Sequence, residues 1–339
     1  MKTKLIVFCA IWLLALNVNA QQWHTTLDVL RPAAQQLPDS INDLLIVNNI
    51  ATQPDDFGHA DKQDDQLTGK SNIDLRTAPL LLLAAATQVL DESGLFLSVS
   101  LLEHSQNKGN YYQKYSLPQT AVDSLCRLYH TDAVLACDQL VVYDIKESYL
   151  TDSYTYLAYL EAYQSTQWTL YCQNGKIQRY QYADTLYWEH EEYSRNGAMQ
   201  GLPDRRTALL DMSAYVGEQF ANRFVPQWEQ VDRYFYENDN QYIKQGLEAF
   251  VHQRWEQALS LWQQAYAEKD HLTQAYAAAN IAGTYEITGG LQAALQWVDK
   301  AISAFDRLHS ADAQQQKVNL TYYKRQLQQR INDERLLQQ

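Results

Sequence analysis

Apolar positions along this chain follow two different rhythms. As far as about residue 237 they come in short continuous runs or strict alternation, and from Tyr242 onward they recur at helical spacing. Residues 23–43 read as an extended lead-in punctuated by Pro32 and Pro38. Leu44-Leu45-Ile46-Val47, closed by Asn48-Asn49, reads as a buried strand. The stretch 53–70 carries Asp55, Asp56, Asp61, Asp64 and Asp65 among Pro, Gly and Gln, the composition of a long, solvated acidic loop. Pro79 then opens a helix with Thr77 as its cap. Because 80–90 is apolar nearly all round, that helix is expected to be buried, and Gly94 to terminate it. Residues 95–102 alternate like a strand, 118–129 read as a second helix and 133–143 as another strand. This strand–helix–strand–helix–strand order predicts a sheet with helices packed on it.

Two further stretches, 154–163 and 167–172, alternate aromatic with polar side chains. Asn174-Gly175 is a strong hairpin signal, and 177–188 is the return strand, so these segments extend the sheet antiparallel. Residues 207–224 form an amphipathic helix ended by Pro226. Residues 231–236 read as a short strand that could return to the sheet edge, and Asn238-Asp239-Asn240 as the turn into a second domain.

In that second domain one pattern occurs twice at an offset of 36 residues. Gly246, Ala258, Trp262 and Ala265 fall on Ala282, Ala294, Val298 and Ala301, while Ala249 falls on Tyr285. Helices are predicted over about 241–252, 255–268, 271–288 and 291–307, with Gly289-Gly290 as the tight turn in the second of two hairpins. Small residues facing bulky ones at this period describe closely packed hairpins and resemble the tetratricopeptide repeat, whose unit is about 34 residues. A last helix, about 314–337, has Val318, Tyr322, Leu327 and Ile331 along one stripe and a polar outer face, as a cap on a short stack requires.

Composition narrows the setting. Lys2 and Lys4 precede an apolar run from Leu5 to Leu16, and Val18-Asn19-Ala20 is a small-x-Ala cleavage site, so 1–20 are expected to be a signal peptide. The run is too short for a membrane anchor, and Phe8 before Cys9 does not make a lipidation site. Removing the leader leaves 25 basic against 40 acidic residues, a charge of −15. That balance, with no basic cluster, argues against nucleic acid and anionic membrane surfaces. Cys126, Cys137 and Cys172 remain; export permits a Cys137–Cys172 bridge, and buried free thiols are the other expectation.

Catalytic signatures are absent. There is no Gly-x-Ser-x-Gly elbow, no His-Glu-x-x-His, no phosphate-binding glycine loop and no Cys-x-x-Cys. In Glu189-His190-Glu191-Glu192 a strand sends alternate residues to opposite faces, so the four do not converge on one metal. The acidic stretch 53–70 offers oxygen ligands but lacks the spacing of a calcium loop. No catalytic residue, metal ligand or cofactor is therefore expected, and the chain reads as a binding protein rather than an enzyme.

The resemblance to tetratricopeptide repeats implies a groove lined by the first helix of each hairpin. In the second repeat it implies Tyr276, Ala279, Asn280, Gly283 and Glu286 as groove residues exposed to a partner protein. Asn280 stands where the family uses asparagine to hold an extended peptide backbone, and Lys244 occupies that position in the first repeat. Over the mature chain, Leu30-Arg-Pro-Ala-Ala, Leu37-Pro-Asp-Ser-Ile, Leu90-Asp-Glu-Ser-Gly-Leu-Phe, Thr131-Asp-Ala-Val-Leu, Trp168-Thr-Leu-Tyr and Val225-Pro-Gln-Trp resemble an exported Bacteroidetes family of unknown function. Its first domain is similar to the α/β domains of curli-secretion and TolB N-terminal type.

The expected fold is α+β. An α/β sandwich domain with a mixed sheet (21–237) is followed by an all-α tetratricopeptide-like domain (238–339). The expected role is a scaffold or adaptor in the periplasm or at the outer membrane that binds an envelope protein or peptide. The alternative is a receptor for a small ligand or glycan on the aromatic strands 154–188.

Overall fold

A computed structural model describes residues 22–337 except Asp39, Lys114, Asp152, Ser153, Gln173 and Asn174. The expected leader, and the Asn174 half of the hairpin signal, lie outside the described residues. The strands are β1 (Gln22–Arg31), β2 (Asp43–Asn48), β3 (His59–Gln63), β4 (Gln66–Lys70), β5 (Ser98–Leu102), β6 (Ala133–Leu150), β7 (Tyr156–Cys172), β8 (Ile177–Glu192) and β9 (Gln227–Tyr236). The helices are α1 (Ala78–Glu92), α2 (Gln119–Tyr129), α3 (Arg195–Gln200), α4 (Arg205–Asn222), α5 (Gln241–Val251), α6 (Trp255–Tyr266), α7 (His271–Ile287), α8 (Leu291–Phe305) and α9 (Ala311–Leu337). The class is mixed α+β, with a mixed sheet in the first region and a run of helices in the second. Compact packing divides the described residues into a unit of 33–227 and a unit made of 22–32 with 228–337.

In the sheet unit the strand order is β4-β3-β6-β2-β5, with β7 and β8 continuing from the other side of β6. β2 runs parallel to both β5 and β6, pairing Leu44 with Val99 on one side and with Ala133 on the other. The far half of β6 pairs in parallel with β3, while β7 lies antiparallel along the whole of β6. A bulge between Cys137 and Gln139 shifts the register where β2 ends. One face of the sheet packs Leu44, Ile46, Leu135, Trp168 and Leu170 against α1 and α4, and Trp168 stacks on Phe220 at 4.2 Å. The opposite face packs Leu45, Val47, Val134 and Ala136 against Val122 and Cys126 of α2. Helices α1 and α4 approach so closely that a Cβ at Gly217 would lie 2.0 Å from the Leu82 carbonyl oxygen, which explains a glycine in mid-helix.

Several expectations change here. The acidic stretch is a loop only over 53–58; from His59 onward β3 and β4 form a hairpin turned by Asp64 and Asp65, both at positive φ. Two of its aspartates meet arginines, Arg195 on both oxygens of Asp64 and Arg205 on Asp61 at 2.6 Å, while Asp55, Asp56 and Asp65 are exposed. Arg205 also donates to the buried Asp144, which in turn contacts His59. Strand β6 runs seven residues past its expected end, because β3 and β7 flank it there. Helix α1 is not buried all round: Leu82, Leu83 and Ala86 face the core, whereas Leu80 and Leu81 are more than a third exposed. The three cysteines are buried free thiols. The aromatic alternation pairs across strands on one face, Tyr143 with Tyr163 and Tyr159 stacked on Tyr187.

In the helical unit, α5–α6 and α7–α8 are hairpins and α9 packs on the second. The repeat positions are buried contacts. A Cβ at Gly246 would collide with the Trp262 indole, whose Nε1 donates to the Ile243 carbonyl at 3.2 Å. Ala282, Ala294, Val298 and Leu327 close the equivalent cluster one repeat later. The expected boundary at 237/238 is displaced. Strand β9 does not return to the main sheet; it pairs with β1, the segment read as a lead-in, and both belong to the helical unit. The reason is apolar. Phe235 and Tyr236 are buried among Ile243, Phe250, Trp262 and Tyr276, an environment a sheet edge would not have given them.

Candidate functional site

Helix α7 is small-residue rich (Ala275, Ala277, Ala278, Ala279, Ala282, Gly283) and is buried on nearly every side. Its short side chains let an extended backbone lie directly on it, and that backbone is β9. Asn280, fully buried, accepts a hydrogen bond from the Tyr236 N–H at 2.7 Å and donates to the Tyr236 carbonyl at 2.8 Å. One side-chain amide thus satisfies both polar groups of one residue of the strand, as a neighbouring strand would. Tyr276 stacks on Tyr236 at 4.9 Å. At Gly283 a Cβ would stand 2.8 Å from Phe235 Cζ, so glycine is required for that ring to seat. Glu286 receives Arg233 of β9 through two bonds of 2.6 and 2.9 Å. Ala279 lines the cleft beside the strand.

The five residues expected to line the groove, Tyr276, Ala279, Asn280, Gly283 and Glu286, therefore share one face. They are buried rather than exposed, because the chain's own strand lies on that face. Lys244, the first-repeat counterpart of Asn280, is solvent-facing and pairs with Asp239.

Charge is tightly managed at one end of the groove. Glu286 also takes Arg330 at 2.6 Å and the Tyr323 hydroxyl at 2.7 Å, both from the last helix. Burial alone would raise its pKa; the bonds and charge of Arg233, with Tyr323 and Arg330, overcome this and hold it below the ordinary value. Arg233 further lies over the Tyr323 ring at 4.9 Å. Sequence reading missed Arg233, Tyr236, Tyr323 and Arg330. The signal pointing to them was Glu286, the one carboxylate in a small-residue-rich helix, since a buried carboxylate needs cationic partners.

Beside β9 the face stays open. A cleft of about 890 Å³ runs between β9 and α9, floored by Ala279 and Gly283 and walled by Tyr234, Val318, Tyr322 and Tyr323. Tyr234, Val318 and Tyr322 are each more than half exposed. Among the described residues, β9 has a strand on one edge only. The Tyr236 peptide is turned toward Asn280, and backbone groups of every second residue share its direction.

A family model described as a domain of unknown function (DUF8603) matches residues 41–236, more than half of the chain, and the chain belongs to that family. A second model, also a domain of unknown function (DUF6340), matches 244–329. No curated protein matches. Among solved structures, a Xanthomonas campestris protein of family DUF330 aligns at 9% identity over 54% of this chain and 85% of that one, with a TM-score of 0.23. A putative neuraminyllactose-binding hemagglutinin homolog from Helicobacter pylori aligns at 10% identity over 56% and 91%, with a TM-score of 0.28. Both scores are too low to carry a structural or functional conclusion.

Proposed function

We propose that this chain is a non-enzymatic adaptor of the cell envelope that binds another protein through its helical unit, whose hairpins are tetratricopeptide-like. In this reading the chain is exported to the periplasm or held at the outer membrane, in line with the leader-like residues 1–20 and its resemblance to exported Bacteroidetes proteins. The partner contributes an extended peptide segment that lies in the cleft between β9 and α9 and adds to the second edge of β9. Strand addition of this kind draws affinity from main-chain hydrogen bonds and specificity from pockets for alternate side chains. The observation that carries the reading is the Asn280–Tyr236 pair. Helix α7 already holds an extended backbone on this face, so the chemistry of the groove suits a strand. The exposed Tyr234, Val318 and Tyr322 supply the aromatic and apolar anchors that protein interfaces favour.

The test is photo-cross-linking in intact cells, with the reactive residue at Val318 or Tyr322 and a control at Gln328 on the same helix. A discrete protein adduct from the cleft positions, absent from Gln328, is the expected result. Equal labelling at all three positions, or none at the cleft, would overturn the proposal.

A further inference from the structure

A second cavity, of about 470 Å³, lies in the sheet unit. It opens where β2 and β5 end and the longer β6 runs on, at the carboxyl ends of parallel strands. Open α/β sheets tend to bind ligands at such ends.

Its floor is built by register. Gln139 of β6 pairs with Gln167 of β7, and Gln167 pairs with Gln181 of β8, so three glutamines form one rung across three strands. Partners directly opposite in a sheet point to the same face, and all three line the cavity. The neighbouring rung adds Thr169 and Arg179. Asp138, at the bulge, is fixed between them, accepting from Thr169 Oγ1 at 2.5 Å and from Asn49 Nδ2 at 2.7 Å. The wall is the segment after β5, which brings in Tyr111 and Tyr115. Asn48 and Asn49 hold that segment through the Glu103 and Tyr115 carbonyls. The Asn49 side-chain oxygen, Oδ1, is buried without a hydrogen-bond partner. The half-buried Gln139 and Gln167 and the exposed Arg179 and Gln181 have no side-chain hydrogen bond to the described residues.

We propose that this cavity binds a neutral sugar, one or two pyranose rings in extent. Three features select that chemistry. Each free glutamine amide offers donors and an acceptor, matching hydroxyls that do both. The tyrosine rings provide flat apolar surface for the C–H face of a ring. Asp138 and Arg179 bring one charge of each sign, so the site does not select a charged ligand. The size falls within the range of small-molecule sites, roughly 300–1,000 Å³. The site lies in the sheet unit and does not depend on the adaptor role of the helical unit.

The experiment is a side-chain amide NMR titration of the full chain with glucose, galactose, mannose, N-acetylglucosamine and their disaccharides, with a uronic acid and a dipeptide as controls, carried into the millimolar range. The expected result is saturable shifts confined to Gln139, Gln167 and Gln181 with at least one of these sugars. Affinity should fall about 3- to 10-fold in Gln167→Ala, the loss of one hydrogen-bonding group. Exposed Gln181→Ala should weaken binding similarly with an unchanged melting curve, which covers the case in which Gln167→Ala disturbs the sheet. No shift with any sugar of the panel would overturn the proposal. So would shifts only with a uronic acid or a dipeptide, or binding that both variants leave intact.

Discussion

Replacing Asn280 with alanine tests how the groove holds its strand. The side chain is fully buried and bonds both the N–H and the carbonyl of Tyr236, at 2.7 and 2.8 Å. Alanine leaves two backbone groups without partners in an apolar surround formed by Tyr276, Phe305 and Ile243. Each orphaned group costs about 1–3 kcal/mol, and local water entry relieves part of it, so a total of roughly 2–5 kcal/mol is expected. That is a large share of the 5–15 kcal/mol typical of a domain. With a urea dependence of about 1–3 kcal/mol/M, the midpoint should drop by roughly 1–3 M. Tryptophan fluorescence reports it, because Trp255, Trp262 and Trp297 belong to this unit. Hydrogen exchange at the Tyr236 amide should accelerate by the same free energy, while amides of β6 and β7 keep their protection. Asn280→Asp, which retains an acceptor but loses the donor, should not restore stability. A change below about 0.5 kcal/mol with normal protection at Tyr236 would refute the clamp and place the strand's stability in Phe235 and Tyr236 packing alone.

Acid should destabilise the helical unit. Glu286 is held below its ordinary pKa, so its contribution is present above the unfolded value near 4.5 and is lost as pH falls through the depressed folded value. A pH series of melting curves should show the wild type losing stability below about pH 4.5, and Glu286→Gln should lack that drop while being less stable at neutral pH by about 3–5 kcal/mol. Gly217→Ala should separate α1 from α4, costing roughly 1–3 kcal/mol or more in chemical denaturation of the sheet unit. Cys137 is buried and its thiol pushed well above the ordinary value by desolvation, so it should resist thiol reagents until the sheet unit unfolds. Rapid labelling of Cys137 in the native protein would contradict that packing.

The pattern of apolar positions determined a good deal by itself. The buried β2, the helices α1 and α2, the long antiparallel β7 and β8 and all four hairpin helices lie close to where alternation, helical spacing, proline and glycine placed them. Those signals are local, set within a few residues by backbone sterics and by which side must be dry. Tyr276, Ala279, Asn280, Gly283 and Glu286 were picked out by the resemblance to the tetratricopeptide repeat, and their 3- and 4-residue spacing puts them on one face of a helix.

What lay on that face was not legible. Residues 231–236 read as a strand in isolation, but a strand's partner is a non-local matter. Only the folded chain brings β1 beside β9 across about two hundred residues and lays both with the helices. Likewise, nothing within the acidic stretch 53–70 indicated that Asp61 and Asp64 would meet Arg205 and Arg195, more than a hundred residues away. The glutamine rung Gln139–Gln167–Gln181 depends on register and on a bulge, neither of which composition encodes. Local sterics and periodicity are written residue by residue; pairing, register and the neutralisation of charge are settled by whichever distant groups bury each other best.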